Sequence, residues 1–234
     1  TCALPISGMA MCATSLPLAC DTQGQLTRDA LRQAHDELHK CDVLAIGPGM
    51  DVGPVQRELV QWALEQHKPA VIDADGLNNL SRILGWAPLR RCPLVLTPHP
   101  GELARLTGRT VKEIQASRPD VAVQAARQWL APASGDAPLV LVLKGAGTIV
   151  TDGRRVYENA TGNPGMATGG SGDILTGLTA ALLAQGLEPF DAAVAAVHAH
   201  GRAGDLAAEQ LGQASLMASD LLDYLPAAMR TISG

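Results

Sequence analysis

Aromatic side chains are scarce in this sequence, and basic side chains are never clustered. Three Trp, two Tyr and one Phe make up only 3% of the 234 residues. Proteins that bind single-stranded nucleic acid stack the bases on aromatic side chains, which this chain can hardly supply. A net charge of −5 without any run of Lys and Arg also disfavours binding to a phosphate backbone or to an anionic membrane surface.

Long apolar runs and paired cysteines are missing as well. No apolar segment approaches the ~20 residues that a membrane-spanning helix needs, and no charged-then-apolar pattern of a signal peptide is found. The cysteines are odd in number and include no Cys-x-x-Cys pair, so neither a disulfide framework nor a structural zinc site is indicated. We therefore expect a cytoplasmic protein without a nucleic-acid or membrane partner. The five cysteines are Cys2, Cys12, Cys20, Cys41 and Cys92.

The sequence does contain a repeated pattern of short apolar runs. From Cys41 onward each run is followed by a turn rich in Gly, Pro, Asp or Asn and then by a longer helical pattern, which is typical of βα units. The runs are apolar at every position, as expected for parallel strands that helices cover on both faces. They are Val43–Ile46, Ala70–Ile72, Leu94–Leu96 and Leu139–Leu143.

The second half of the chain adds a hairpin and several helices. Two strand-like pieces, 148–151 and 154–157, flank the turn dipeptide Asp152-Gly153 and predict an antiparallel edge on the sheet. We therefore expect one α/β domain with a mostly parallel central sheet. Helices are predicted over Ile174–Gln185, Ala192–Gln210 and Met217–Met229, and an amphipathic helix with Thr27 as its N-cap over Leu26–Lys40.

Clusters of glycine and polar residues follow the predicted strands. In an open parallel sheet this position is the carboxyl edge, where ligands bind. Five clusters that are far apart along the chain are therefore expected to meet at one site. They are Gly47–Gly49, Asp73–Asn78, Thr97–Glu102, Lys144–Thr148 and Gly162–Asp173.

The last cluster, Gly162–Asp173, has the composition of an anion-binding turn. Its glycines allow positive φ angles and expose backbone amides just before a helix begins. Asp173 would lie in the first turn of that helix, where the helix dipole favours a carboxylate by ~0.3–1 kcal/mol. A glycine-rich loop with an ordinary Asp cap is the alternative, but the four other clusters favour a binding site. The stretch matches neither a P-loop nor a dinucleotide fingerprint.

Several charged side chains in the other clusters can also bind a ligand. Lys144 follows a predicted buried strand, so its ammonium group can contact a phosphate, although a Lys at a strand end is more often a solvated cap. His99 lies between two prolines that restrict the backbone, which favours a binding role, although a lone histidine is more often structural and spacing alone assigns it no acid partner. Asp73 and Asp75 can coordinate Mg²⁺, directly or through water, or cap the helix predicted to start near Leu77.

Two further histidines, His198 and His200, lie in an alanine-rich helical pattern. Their spacing of two residues places them on different faces of a helix, whereas residues three or four apart share a face. A paired metal site is therefore not expected. Both are interpreted as structural histidines.

Taken in order, the five clusters resemble those of the carbohydrate-kinase-like domain of the NAD(P)H-hydrate dehydratase family, a branch of the ribokinase-like superfamily. The resemblance extends from about Cys41 to Met229. It implies a ribokinase-like three-layer αβα sandwich with an antiparallel edge hairpin. It also implies a metabolite-repair lyase, often a homo-oligomer, that uses ADP or, less often, ATP with Mg²⁺. The substrate would be the S epimer of hydrated NADH or NADPH (NADHX or NADPHX), dehydrated through phosphorylation of the ring hydroxyl and loss of phosphate.

The resemblance also assigns roles to individual residues. Asp173 would be the catalytic base. It would contact the hydrated nicotinamide together with Gly49 and His99. The nucleotide would be held by Lys144, Gly145, Ala146, Gly147, Thr148 and Gly172, and the site supported by Asp73, Asn78, Glu102, Asn163 and Gly170.

The chain also departs from the family pattern at its start. Family members normally begin with a strand and a Gly-Ser-x-Gly-x-x-Gly-Ala-like loop, so we expect a single ribokinase-like domain over residues 1–234 that lacks both. Either the sequence is a fragment, or Thr1–Ala10 replaces the missing segment. Two other functions compete with the dehydratase. One is a small-molecule kinase similar to hydroxyethylthiazole kinase, against which Pro98–Glu102 argues, and the other is a catalytically silent nucleotide-binding fragment.

Overall fold

The computed structural model describes residues 14–130 and 137–232. The prediction for Thr1–Ala10 lies outside the described residues. At the centre is a six-stranded sheet in the order β1-β2-β3-β4-β5-β6. Strands β1 to β4 are parallel, and β5 pairs antiparallel with both β4 and β6. The strands are β1 (Leu44–Ile46), β2 (Ala70–Ile72), β3 (Leu94–Leu96), β4 (Leu139–Leu143), β5 (Ile149–Thr151) and β6 (Val156–Glu158). The predicted parallel strands and edge hairpin are therefore confirmed.

The described residues form nine α-helices, which pack on this sheet or on one another. Because successive parallel strands are added in one direction, right-handed crossovers place the helices between β1 and β4 on one face. The helices after the hairpin cover the other face. In chain order they are α1 (Arg28–Glu37), α2 (Pro54–Glu65), α3 (Ala74–Leu80), α4 (Pro100–Thr107), α5 (Val111–Ala116), α6 (Arg118–Leu130), α7 (Ser171–Ala184), α8 (Pro189–Leu211) and α9 (Ala218–Arg230).

The two faces of the sheet differ in their side chains. Successive residues of a strand point to opposite faces, and in β4 the residues of one face are leucines and those of the other are valines. Leu139, Leu141 and Leu143 belong to the core formed with α2 to α6, whereas Val140 and Val142 pack against α7 and α8. Every residue of β4 is buried. This explains why the strand is apolar throughout and establishes the expected three-layer αβα sandwich.

The predicted helix boundaries are shifted by a few residues. Helix α7 begins at Ser171, three residues before the predicted start, because Gly170 enters it with a φ of 91°. Pro189 is the first residue of α8 and not part of the preceding break, which is the position that proline favours in a helix. Thr27 is the N-cap of α1, but its side chain makes no capping bond and its hydroxyl instead donates to the Ala19 carbonyl. Within the described ranges, no helix is long and apolar enough to cross a membrane.

Candidate functional site

Asp73 lies at the centre of the predicted site, directly after β2. Its side chain is only 1% exposed, and both carboxylate oxygens are engaged. Lys144 donates to one oxygen through Nζ at 2.5 Å, and the Thr176 hydroxyl donates to the other at 2.8 Å. The end of β2, the end of β4 on the far side of β3, and the first turns of α7 are therefore joined through a single carboxylate.

Asp73 is the N-cap residue of α3, but its side chain makes no capping bond, and Asp75 lies within the first turn of the helix. Asp75 accepts hydrogen bonds from the Asp51 amide at 3.0 Å and from the Asn78 side chain at 3.1 Å. The other end of the Asn78 amide accepts from Arg105 at 3.0 Å. In residues 14–130 and 137–232, no group of three or more His, Cys, Asp or Glu side chains could hold a metal ion.

His99 is the N-cap of α4 and is held in place by Glu102. Its Nδ1 accepts hydrogen bonds from the Gly101 amide at 3.0 Å and the Glu102 amide at 3.3 Å, while the buried Glu102 carboxylate accepts from the His99 amide at 2.8 Å. This reciprocal capping box fixes the imidazole, whose side chain remains 51% exposed. Burial, followed by the charges of Lys144 and Arg105, lowers the pKa of His99. A neutral ring with its proton on Nε2 fits these bonds.

The Lys144–Thr148 loop connects β4 to β5. The Lys144 amide donates to the Pro98 carbonyl at 2.9 Å, which brings the loop next to His99. Gly145 and Gly147 take positive φ angles of 136° and 61°. The loop's glycines are thus used for a tight turn at the carboxyl edge of the sheet, where the sequence predicted them.

The start of α7 supplies a free backbone amide. Of the first four amides, those of Asp173 and Ile174 donate to the Gly170 carbonyl at 3.1 and 3.3 Å, and that of Ser171 makes a longer bond at 3.4 Å. The hydrogen bonds of the described residues give the Gly172 amide no acceptor. A Cβ on Gly172 would lie 3.3 Å from Lys144 Nζ and 3.5 Å from Asp73 Oδ2. Glycine therefore lets the helix terminus approach the ion pair closely.

Asp173 lies in the first turn of α7 and its side chain is exposed. Partial burial and the negative charge of Asp73 raise its pKa, and the charge of Lys144 opposes them. This direction is opposite to the sequence-based expectation, which considered only the helix dipole. The acid at Asp73, 100 positions away in sequence, was not part of that argument.

Asp73, His99, Lys144, Gly172 and Asp173 therefore meet at one edge of the sheet. Gly49 follows β1 at the same edge. It has a φ of 68°, and no atom lies within 4 Å of a Cβ added there. Asn163 is farther along the edge, where it accepts from the Gly165 amide at 3.0 Å and donates to Asp205 at 3.1 Å.

Four residues of this region make contacts that were not predicted from the sequence. Thr176 holds Asp73, and Asp205 holds the Gly162 amide at 2.9 Å as well as Asn163. Asn79, not its neighbour Asn78, is buried and links α3 to the loop after β1 through the Asp51 carbonyl and the Gly53 amide. These hydrogen bonds join segments that are far apart in the chain, so no local sequence pattern predicts them.

The fourth of these residues is His200, which supports the start of α7. Its Nε2 lies 2.9 Å from the Ser171 carbonyl and 3.2 Å from the Ser171 hydroxyl. The structural interpretation of His198 and His200 is consistent with these contacts, because His198 instead lies 3.4 Å from the Tyr157 hydroxyl. Burial is the largest cause that lowers the pKa of His200, to about 4.

The pKa of His200 predicts a specific acid sensitivity. Because the folded-state pKa of about 4 lies below the ordinary histidine pKa of 6.5, the unfolded chain binds more protons between these two pH values. The free energy of unfolding should therefore fall by up to about 3 kcal/mol as the pH is lowered from about 6.5 to about 4. Urea unfolding across this range should show a shallower pH dependence for His200→Gln. Equal slopes for the two proteins would contradict the assignment.

Comparisons with known proteins identify the family. A family model described as NAD(P)H-hydrate dehydratase matches residues 9–227. A bifunctional NAD(P)H-hydrate repair enzyme from Moorella thermoacetica is 50% identical over 212 residues, which cover 89% of this chain and 38% of the relative. An ADP/ATP-dependent NAD(P)H-hydrate dehydratase from Bacillus subtilis, co-crystallised with ATP and Mg²⁺ and soaked with CoA, has a TM-score of 0.76 and 32% identity. That match covers 97% of this chain and 76% of the solved chain.

A structure described as a ribokinase-like superfamily protein from Enterococcus faecalis matches with a TM-score of 0.69 and 25% identity, over 87% of this chain and 68% of its own. The sandwich is thus ribokinase-like, as expected. The chain spans only 38% of the length of the bifunctional Moorella relative. From the family model and these matches together, the chain belongs to the NAD(P)H-hydrate dehydratase family.

Proposed function

We propose that this chain dehydrates the S epimer of NADHX or NADPHX in a nucleotide-dependent reaction and so restores NADH or NADPH. The observation that carries the proposal is the meeting of Lys144, the free Gly172 amide and Asp173 at one edge of the sheet. Cationic and amide donors suit the phosphates of a nucleotide, and a carboxylate beside them suits a base. Membership of the dehydratase family supports the same reaction.

In the proposed reaction Asp173 takes the proton of the hydroxyl on the hydrated nicotinamide ring. The oxygen then forms a bond to the terminal phosphorus of the nucleotide, and the bond from that phosphorus to the rest of the nucleotide breaks. Hydroxide is a poor leaving group, whereas phosphate departs readily, so loss of phosphate and of a neighbouring ring proton restores the double bond. Phosphoryl transfer mainly requires positioning and charge stabilisation.

Each group at the edge has a separate task in this proposal. Lys144 and the amides of Gly145, Ala146, Gly147, Thr148 and Gly172 bind the nucleotide phosphates. Because Lys144 is already paired with Asp73, phosphates share its ammonium group with that carboxylate. Gly49 and His99 border the hydrated ring. The capping box fixes the imidazole of His99, whose Nε2 lies 3.4 Å from Glu102 Oε1. Glu102, Asn78, Asn163 and Gly170 support these elements.

Magnesium would enter this site with the nucleotide. The two Asp73 oxygens are occupied by Lys144 and Thr176, so they are poorly placed as metal ligands. Mg²⁺ in nucleotide sites commonly binds substrate phosphates, water and only one or two carboxylates. When bound, it would neutralise phosphate charge and be held mainly by the phosphates and by water.

The proposal is tested by incubating the protein with NADHX, ADP and Mg²⁺ while recording the absorbance of reduced nicotinamide. We expect NADH to appear together with AMP and phosphate in equal amounts. A stable phosphorylated alcohol without NADH would instead support the small-molecule kinase, and ADP binding without any product would support a silent nucleotide-binding fragment. Parallel reactions with ATP and with NADPHX measure the preferences for nucleotide and substrate.

We also propose that the protein acts as a homo-oligomer in the cytoplasm. The described cysteines, Cys20, Cys41 and Cys92, are all free thiols, which fits a reducing compartment. Exposed apolar side chains at the C-terminal helix, Met217 and Leu222, are available for contact between subunits. Light scattering on the purified protein measures the oligomeric state directly.

A further inference from the structure

Arg118 lies below the Lys144–Thr148 loop, although neither the sequence patterns nor the proposed reaction gives it a role. It is the first residue of α6, and its guanidinium group reaches across to the end of β4. Its Nη2 lies 3.1 Å from the Leu143 carbonyl, 3.3 Å from that of Lys144 and 3.4 Å from that of Gly147. Nη2 carries two protons, so three carbonyls share two donors, and the bond to Leu143 is the shortest.

The second nitrogen of the guanidinium group fixes Arg118 itself. Nη1 donates to the Gln115 side chain at 3.1 Å, and a Cβ on Gly145 would lie 3.1 Å from this nitrogen. A Cβ on Gly147 would lie 2.9 Å from Glu158 Oε1. Both glycines of the loop therefore lie close to charged side chains.

The direction of the carbonyls determines where the loop's amides point. The peptide bonds of the described residues are all trans, and in a trans peptide the N–H points opposite to the preceding C=O. Because the carbonyls of Lys144 and Gly147 turn towards Arg118, the amides of Gly145 and Thr148 turn away from it. An anion bound on that side would therefore find donors already oriented.

The charge of Arg118 acts in the same direction. Burial lowers the pKa of Arg118 and the charge of Glu158 raises it, but a guanidinium group remains protonated in proteins. The loop therefore has a fixed positive charge beneath it in addition to Lys144. The Lys144 and Gly147 carbonyls of the loop share this charged group with the Leu143 carbonyl of β4. These bonds add to the side-chain bond within the loop, from the Thr148 hydroxyl to the Gly145 carbonyl at 2.9 Å.

We propose that Arg118 is a positioning residue that holds the Lys144–Thr148 loop in the conformation that receives nucleotide phosphates. The inference rests on the proposed function of this loop. It assigns the affinity for nucleotide in part to a side chain that need not touch the nucleotide.

The test compares Arg118→Met and Arg118→Lys with the control Arg127→Met. Arg127 lies in the same helix and donates to the Gly153 carbonyl of the hairpin turn at 2.6 Å, away from the loop. Two quantities are measured: hydrogen exchange of the amides of residues 145–148, and the dissociation constant for ADP by calorimetry.

We expect faster exchange at residues 145–148 and a roughly 10- to 100-fold weaker affinity for ADP in Arg118→Met, as for loss of hydrogen bonds to a charged group. The dissociation constant of Arg118→Lys for ADP should lie within about threefold of that of Arg118→Met, because an ammonium group keeps the charge but not the planar arrangement of donors. Arg127→Met should bind ADP like the wild type. At saturating nucleotide, the Arg118 variants should keep most of their kcat while the KM for nucleotide rises.

Two results would overturn the inference: unchanged exchange in the loop of both Arg118 variants, or wild-type affinity for ADP in Arg118→Lys. Wild-type dehydration together with either result would show that the inference fails while the proposed function holds. If the wild type binds no ADP, the proposed function and the nucleotide role of Arg118 both fail, even when exchange shows that Arg118 anchors the loop.

Discussion

Asp173→Asn should lower the rate of NADHX dehydration by roughly 10²- to 10⁴-fold, the usual contribution of a general base. Asparagine keeps the size of the side chain at the first turn of α7 but cannot accept the hydroxyl proton. The affinity for ADP should change little, because the proposed phosphate donors are Lys144, its loop and the Gly172 amide. Turnover and ADP affinity are therefore measured on the same protein.

Asp191→Asn is the matched control for this substitution. Asp191 also lies in the first turn of a helix, α8, and is paired with Arg155 at 3.7 Å on an exposed surface. The control should retain full activity, since exposed ion pairs contribute little to stability. If Asp173→Asn turns over as fast as this control, Asp173 is not the base.

The pH dependence of turnover gives a second measurement of the same residue. The burial of Asp173 and the charge of Asp73 raise the pKa of Asp173, so its protonated, inactive form persists to a higher pH than for an ordinary Asp. The rate should therefore fall on the acid side, at a pH above the ordinary pKa of Asp, ~3.9. This acid limb should be missing from the residual activity of Asp173→Asn.

The strand pattern of the fold was predictable because burial on both faces leaves a strong signal in sequence. Every position of β4 is apolar, and Leu139–Leu143 was predicted with its observed limits. The predicted ends of the helices were less accurate, because they depend on single residues such as Gly170 and Pro189. Each of these residues could belong either to a loop or to the start of a helix.

The site was predictable in its location but not in its connections. The rule that ligands bind at the carboxyl edge of a parallel sheet brought Asp73, His99, Lys144 and Gly172 together correctly. It could not show that Asp73 is engaged by Lys144 and by Thr176, a residue 103 positions later in the chain. That contact depends on how α7 packs against the sheet. For the same reason, the electrostatic neighbour that raises the pKa of Asp173 was overlooked.

The capping box of α4 is an intermediate case. Pro100 at the first helical position and Glu102 three residues after His99 form a recognisable helix start, but His is an unusual N-cap residue, and no capping role was predicted for it. In the structure Nδ1 accepts two backbone amides, and Nε2 lies 3.4 Å from Glu102 Oε1, the acid partner that spacing alone did not assign.

Gly47→Ala should destabilise the protein by roughly 4 kcal/mol, from the combined costs of a strained backbone and of steric overlap. Gly47 has a φ of 133°, and a Cβ there would lie only 1.8 Å from the Asp73 carbonyl oxygen. That oxygen accepts the Gly76 amide at 2.8 Å, so moving it would disturb the start of α3 and the position of the Asp73 side chain. Affinity for ADP should therefore fall along with stability.

Gly49→Ala separates backbone strain from this overlap. Gly49 also has a positive φ, 68°, but nothing lies within 4 Å of an added Cβ. Its substitution should cost only about 1–2 kcal/mol, the left-handed penalty of an L-residue. Urea unfolding of both variants measures the difference. Equal losses of stability would mean that the turn after β1 relaxes away from Asp73, and that the close contact between these two segments does not hold the site together.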